Sequence, residues 1–222
     1  MTEEYNNIKN EDIETELGIV NESFAEYESE GTSALNSNGF GNNTIEDYLK
    51  LPEGTRVELI DGVFYDMAAP TMAHQKIITA VANVLESYID SNNGKCVSFV
   101  GPTDVQLDKD DKTMVQPDIM VTCDRTKFTK ARLVGAPDFV IEVLSPSNWY
   151  NDTTRKFLKY KNAGVREYWI IMPENRKVLV YYFAKSDLPT EYTFSDEIPV
   201  NIWEGKCKID FKKIYDKISF ML

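Results

Sequence analysis

Pro137-Asp-Phe-Val-Ile-Glu-Val-Leu-Ser145 is a near-continuous apolar run of strand length with one acid, Glu142, set inside it. Runs of this kind mark a central strand covered on both faces. Side chains alternate along a strand, so Glu142 shares a face with Val140 and Leu144, while Phe139, Ile141 and Val143 take the other. A carboxylate buried there without a partner would cost several kcal/mol. Glu142 therefore calls for a cation, a base or a metal ion.

A second acid stands at the mouth of another β-branched run, Asp118 in Val115-Gln-Pro-Asp-Ile-Met-Val121. Two carboxylates on neighbouring strands can converge on one divalent cation. Hard oxygen ligands suit magnesium or manganese better than zinc. The short link Ser145-Pro-Ser-Asn leads from the Glu142 strand to an expected helix over 152–163. There Asp152, Lys156 and Tyr160 fall four apart, on one face. Lys156 could lean over the sheet edge towards the acids. It could equally form a surface pair with Asp152, worth only ~0.3–0.5 kcal/mol. Spacing does not choose between them.

Working outward, Arg56 to Met67 (RVELIDGVFYDM) holds two β-rich runs around Asp61-Gly62, a strong hairpin signal. Thr44 opens a short helix that stops at Pro52 and Gly54. Ile77, Ile78, Val81, Val84, Leu85 and Tyr88 have helical spacing within 74–88. Strands are expected at 96–100, 103–107 and 115–122, and a hairpin from Glu167–Met172 and Lys177–Phe183. A last helix or strand pair fills 200–222. Asp108 to Lys112 (DKDDK) lacks the glycine and distal Glu of a calcium loop and reads as a solvated turn. Hairpins followed by strands interleaved with helices predict an α/β (α+β) domain, a mixed sheet flanked by helices with an N-terminal β-hairpin.

The 222 residues suit one such domain, and 42% hydrophobic with 12% aromatic content supplies a core and excludes a wholly disordered chain. Residues 1–43 read as an acidic arm ending in the linker-like SALNSNGFGNN, and 44–222 as the domain. That arm carries ten acids and one base, so it contributes −9 of the net −12. The domain is left close to neutral, and charge does not argue against a nucleic-acid partner. No stretch is long and apolar enough for a membrane span, and the acidic start is not a secretory signal. A cytoplasmic location is expected. Cys96, Cys123 and Cys207 form no CxxC pair, and three reduced thiols are expected.

Several blocks in order carry a resemblance: Glu58-Leu-Ile-Asp-Gly62, Ala73-His-Gln75, Gln116-Pro-Asp118, Gly135 to Ser147, Asp152-x-x-x-Lys156-x-x-x-Tyr160 and Gly164-Val-Arg-Glu-Tyr-Trp-Ile-Ile171. Together, over about residues 44–215, they resemble the bacterial Uma-type family of "putative restriction endonucleases". That family lies in the PD-(D/E)xK nuclease superfamily. The resemblance implies a restriction endonuclease-like core, with Asp118 as the PD aspartate and Glu142 as the second acid. Leu144 stands where the superfamily usually has lysine. In the Uma-type group the lysine moves to the following helix, which Lys156 matches.

The resemblance further implies a Mg2+ (or Mn2+) ion held by Asp118, Glu142 and the carbonyl of Val143, with Lys156 acting on the attacking water or the phosphate. Glu58 resembles an extra metal-site acid, against a plain reading as a cross-strand surface acid. His74 and Gln75 match a family pair at a helix start, where an anion such as phosphate is favoured. Asp152 and Tyr160 match positions suited to orienting Lys156. The expected activity is hydrolysis of phosphodiester bonds in DNA by an endonuclease, as a homodimer by analogy. Two rivals stand beside it. One is a silent nucleic-acid-binding or regulatory module on the same scaffold. The other is a sugar hydrolase with paired carboxylates, in which the lysine has no place.

Overall fold

Asp61 and Gly62 both take positive φ, 50° and 77°, as a two-residue type I′ connection requires. They join β1 (Val57–Ile60) to β2 (Val63–Asp66) in an antiparallel hairpin. The computed structural model describes residues 41–107, 111–145 and 154–222. The acidic arm, Trp149, Tyr150, Asp152 and most of the DKDDK turn fall outside these. A compact unit spans Asn43–Leu222.

Helix α1 (Ile45–Leu49) is started by a capping box between Thr44 and Asp47. Helix α2 (Met72–Ser91) follows N-cap Thr71 and buries Ile77, Ile78, Val81, Leu85 and Ile89 at helical spacing. Then come β3 (Val97–Val100), β4 (Val105–Gln106), β5 (Met114–Val115), β6 (Ile119–Thr122), β7 (Leu133–Val134) and β8 (Phe139–Val143). The chain finishes with α3 (Lys156–Ala163), β9 (Glu167–Met172), β10 (Lys177–Tyr182), β11 (Thr190–Thr193), β12 (Glu197–Val200), β13 (Cys207–Asp210) and α4 (Phe211–Ile218). Strand β11 lacks an apolar alternation and β12 offers only Ile198 and Val200, so neither is expected from the sequence.

The main sheet has the order β11-β10-β9-β8-β6-β3, with β8 and β9 parallel and the other pairs antiparallel. A second sheet runs β2-β1-β5-β4-β7, and β12 and β13 form a small ladder of their own. The fold is a mixed α/β one, as expected. One expected strand, 115–122, is instead two. Pro117 has no N–H for a ladder, so β5 ends before it and joins the second sheet, while β6 begins after Asp118 in the main one. Gln116-Pro117-Asp118 thereby links the two sheets.

The central strand divides two cores as its alternation predicts. Phe139, Ile141 and Val143 pack with α2, α4 and the β12–β13 ladder. Val140 and Leu144 pack on the opposite side with Ile60 of β1, Val105, Val115 and Tyr160 of α3. Glu142 therefore faces the layer that holds the hairpin and α3.

The cysteine expectation is corrected. Cys96 and Cys123 form a disulfide, and Cys207 is a free, buried thiol. Val97 opposite Thr122 puts the two cysteines opposite each other one step along the β3–β6 register, a pairing that 27 residues of separation conceal. Asp138, just before β8, clasps strand ends. Its Oδ2 accepts from the Cys123 amide at 2.8 Å and its Oδ1 from Arg166 at 3.2 Å.

Candidate active site

Register brings the first two acids together. Strand β6 runs antiparallel to β8 with Ile119 opposite Ile141, so one step further Asp118 faces Glu142. The amide of Asp118 donates to Glu142 Oε2 at 3.3 Å, and the amide of Val143 donates to Asp118 Oδ2 at 2.8 Å. Each acid is thus held by the backbone of the other's strand.

Lys156 reaches them from the first turn of α3. Its Nζ lies 3.1 Å from Glu142 Oε1 and 2.9 Å from Glu58 Oε2, with the lysine only 3% exposed. This is no surface pair. Glu58 is buried too, so it is not a surface acid, and its Oε1 accepts from the Gln116 amide at 2.7 Å. Tyr160, one turn beyond Lys156, donates its hydroxyl to Glu142 Oε1 at 2.7 Å. Burial, reinforced by the Glu142 charge, pushes that hydroxyl well above the ordinary tyrosine range and keeps it a donor.

His74 sits in the first turn of α2, where its amide caps onto Thr71, and its Nε2 is 3.2 Å from Asp118 Oδ2. Its Nδ1 is buried with no hydrogen-bond partner among the described residues. Gln75 follows on the exposed side and, with Val143 and Ser145, lines a pocket of about 70 Å3 over the acids. That is room for a few waters at roughly 10–15 Å3 each. Tyr168 and Trp169, which sequence alone could have assigned to base stacking, are fully buried core residues.

Three residues of the pocket escaped the sequence reading. Arg56 is exposed and lines it, one residue before β1. Gly101 also lines it, and a Cβ there would come 2.8 Å from the Pro117 carbonyl oxygen, so only glycine fits. Gln116 braces the site from behind. Its Nε2 donates to Tyr48 at 2.8 Å and to Asp104 at 2.9 Å. The quoted Gln116-Pro-Asp118 block was the one available signal for it.

The chain matches the Uma2 family, described as "Putative restriction endonuclease", over residues 45–201. It belongs to that family. The site residues Glu58, His74, Asp118, Glu142, Lys156 and Tyr160 all lie within the matched span. Among curated proteins, an uncharacterized protein of Synechocystis sp., slr1290, is 27% identical over 141 residues, covering 62% of this chain and 72% of that protein. Among solved structures, a putative nuclease of the DUF820 group from Anabaena variabilis superposes with a TM-score of 0.66. It is 22% identical and covers 79% of this chain and 98% of its own. At that identity the likeness is one of fold.

The donor set of this Uma2 chain fits a hard divalent ion. Asp118 and Glu142 bring two carboxylates to one pocket, beside Lys156 and His74, with Glu58 behind Lys156. Among the described residues no three His, Cys, Asp or Glu side chains form a ready-made ligand cage. Among the described residues, no helix is long and apolar enough to cross a membrane.

Proposed function

We propose that this chain is a divalent-metal-dependent endonuclease that hydrolyses phosphodiester bonds in DNA. The observation that carries the reading is the pairing of Asp118 with Glu142 across β6 and β8, with Lys156 seated against Glu142. Asp118 and Glu142 would hold Mg2+ or Mn2+, with the Val143 carbonyl as a further oxygen ligand. When bound, such an ion lowers the pKa of a coordinated water and offsets charge on the phosphate.

The chain's own groups supply the rest. Tyr160 and the Val143 amide fix the carboxylates, which limits reorganisation when a substrate arrives. Lys156 brings a positive charge beside Glu142, where an attacking water and the phosphoryl oxygens would gather. His74 and Gln75 at the start of α2, together with Arg56, offer donors and positive charge to the phosphates flanking the bond to be cut. A nearly neutral domain permits this contact, with affinity falling as salt rises.

The test is cleavage of plasmid and linear DNA in Mg2+ and Mn2+, beside calorimetric titration of each ion. Glu142→Ala should abolish metal-dependent cutting and Lys156→Ala should reduce it to a small measurable residue, with circular dichroism unchanged. Cutting that persists in the purified double variant would overturn the assignment. Gel shifts without cleavage under either metal would instead favour a binding module.

A further inference from the structure

Glu58 is the third acid against this site, and unlike Asp118 and Glu142 it does not line the pocket. It sits on β1, in the second sheet, and is 4% exposed. Residues 58 and 60 share a strand face, so Glu58 follows Ile60 into the core layer that Glu142 also faces. Both its oxygens are engaged: Oε2 by Lys156 at 2.9 Å, Oε1 by the Gln116 amide at 2.7 Å. Gln116 is itself anchored through Tyr48 and Asp104. Its carboxylate is thus tied to Lys156 and to the Gln116 backbone, away from the pocket that Asp118 and Glu142 line.

Lysine has a flexible four-carbon stem and a point charge, so its geometry depends on what holds the ammonium. The contact to Glu142 moves with any shift of that acid on metal binding. Glu58 adds a second contact from a different sheet, fixed to the backbone through Gln116.

We propose that Glu58 is a positioning residue for Lys156, not a ligand of the metal. Resting on the endonuclease reading, it assigns that site's third acid to the lysine. Glu58 holds the ammonium over the Asp118–Glu142 pair and lets it remain there when Glu142 is engaged by the ion.

The experiment compares Glu58→Gln, Asp118→Asn, Lys156→Met and the double variant Glu58→Gln/Lys156→Met with the wild type. Calorimetry with Mn2+ should find Glu58→Gln within about threefold of the wild type while Asp118→Asn loses binding, as expected when a group outside the ligand set is changed. In cleavage, Glu58→Gln should lower kcat roughly 10–100-fold with KM for DNA little changed. The double variant should be no slower than Lys156→Met alone, since both changes remove one unit. Loss of Mn2+ affinity in Glu58→Gln equal to that in Asp118→Asn would overturn the proposal, as would multiplicative rate losses. If the wild type binds no metal and cuts no DNA, the endonuclease reading fails separately. The wild type, Glu58→Gln, Lys156→Met and their double variant in a denaturation cycle then decide: additive stability losses for residues 58 and 156 would refute their coupling, and non-additive ones would sustain it.

Discussion

The carboxylate of Asp118 accepts a hydrogen bond from the amide of Val143, the residue directly after Glu142, at 2.8 Å. In return the amide of Asp118 donates to Glu142. This reciprocal clasp makes the two acids a single rigid pair, so a change at one can be separated from loss of the fold.

Asp118→Asn keeps an acceptor for the Val143 amide and removes a charge. Its far-UV spectrum should match the wild type. Mn2+ at 100 times its Kd should stabilise the wild type by about 2.7 kcal/mol and leave the variant unmoved. Thermal melts with and without metal measure this, and equal shifts in both proteins would count against Asp118 as a ligand.

Lys156→Met leaves Glu58 and Glu142 buried without the cation they share. Removing one partner of a buried ion pair costs about 3–5 kcal/mol. Urea denaturation at neutral pH should show a loss of that size. A loss near zero would mean that water reaches these carboxylates.

Tyr160→Phe deletes only the hydroxyl that donates to Glu142 at 2.7 Å. A hydrogen bond to a charged group contributes about 1.5–3 kcal/mol, and stability should fall within that range. Because the hydroxyl's pKa is pushed upward, the loss should stay constant through neutral pH. A loss confined to one pH region would contradict this.

Glu167 tests the packing behind the site. Burial raises its pKa, although it accepts from Trp169, Asn201 and the Ile202 amide. A folded-state pKa above the unfolded one gives stability below the unfolded value that fades as pH rises through the folded one. Glu167→Gln removes this dependence and turns an amide N–H2 towards existing donors. The variant should be least favourable in acid, with the gap to the wild type narrowing as pH rises. Denaturation at several pH values checks the slope, and a widening gap would reverse the sign.

Cys96 and Cys123 should be protected from thiol reagents in denaturant until reduced, leaving Cys207 as the one reactive thiol. Three thiols before reduction would remove the bond. For a loop of this length reduction should cost about 3–4 kcal/mol, measurable by denaturation with and without reductant.

Much of the site was written in local pattern. An acid inside an apolar strand run and a second acid at a strand mouth were visible as contradictions of burial, and the Asp61-Gly62 turn carried its own geometry. Lysine and tyrosine one helical turn apart gave a common face but no destination. The partners of Lys156 stayed hidden because Glu58 is 98 residues away on another sheet, and Gln116 because its role runs through a backbone amide.

The amino-acid order alone determined the alternation about Glu142, the hairpin and the helices, since these depend on neighbours a few residues apart and on each residue's own backbone preferences. Only the tertiary structure decided which acid belongs with which cation and which two cysteines join. Those choices depend on strand register and on Pro117 passing the chain from one sheet to the other. Contacts between residues distant in sequence leave no period to read.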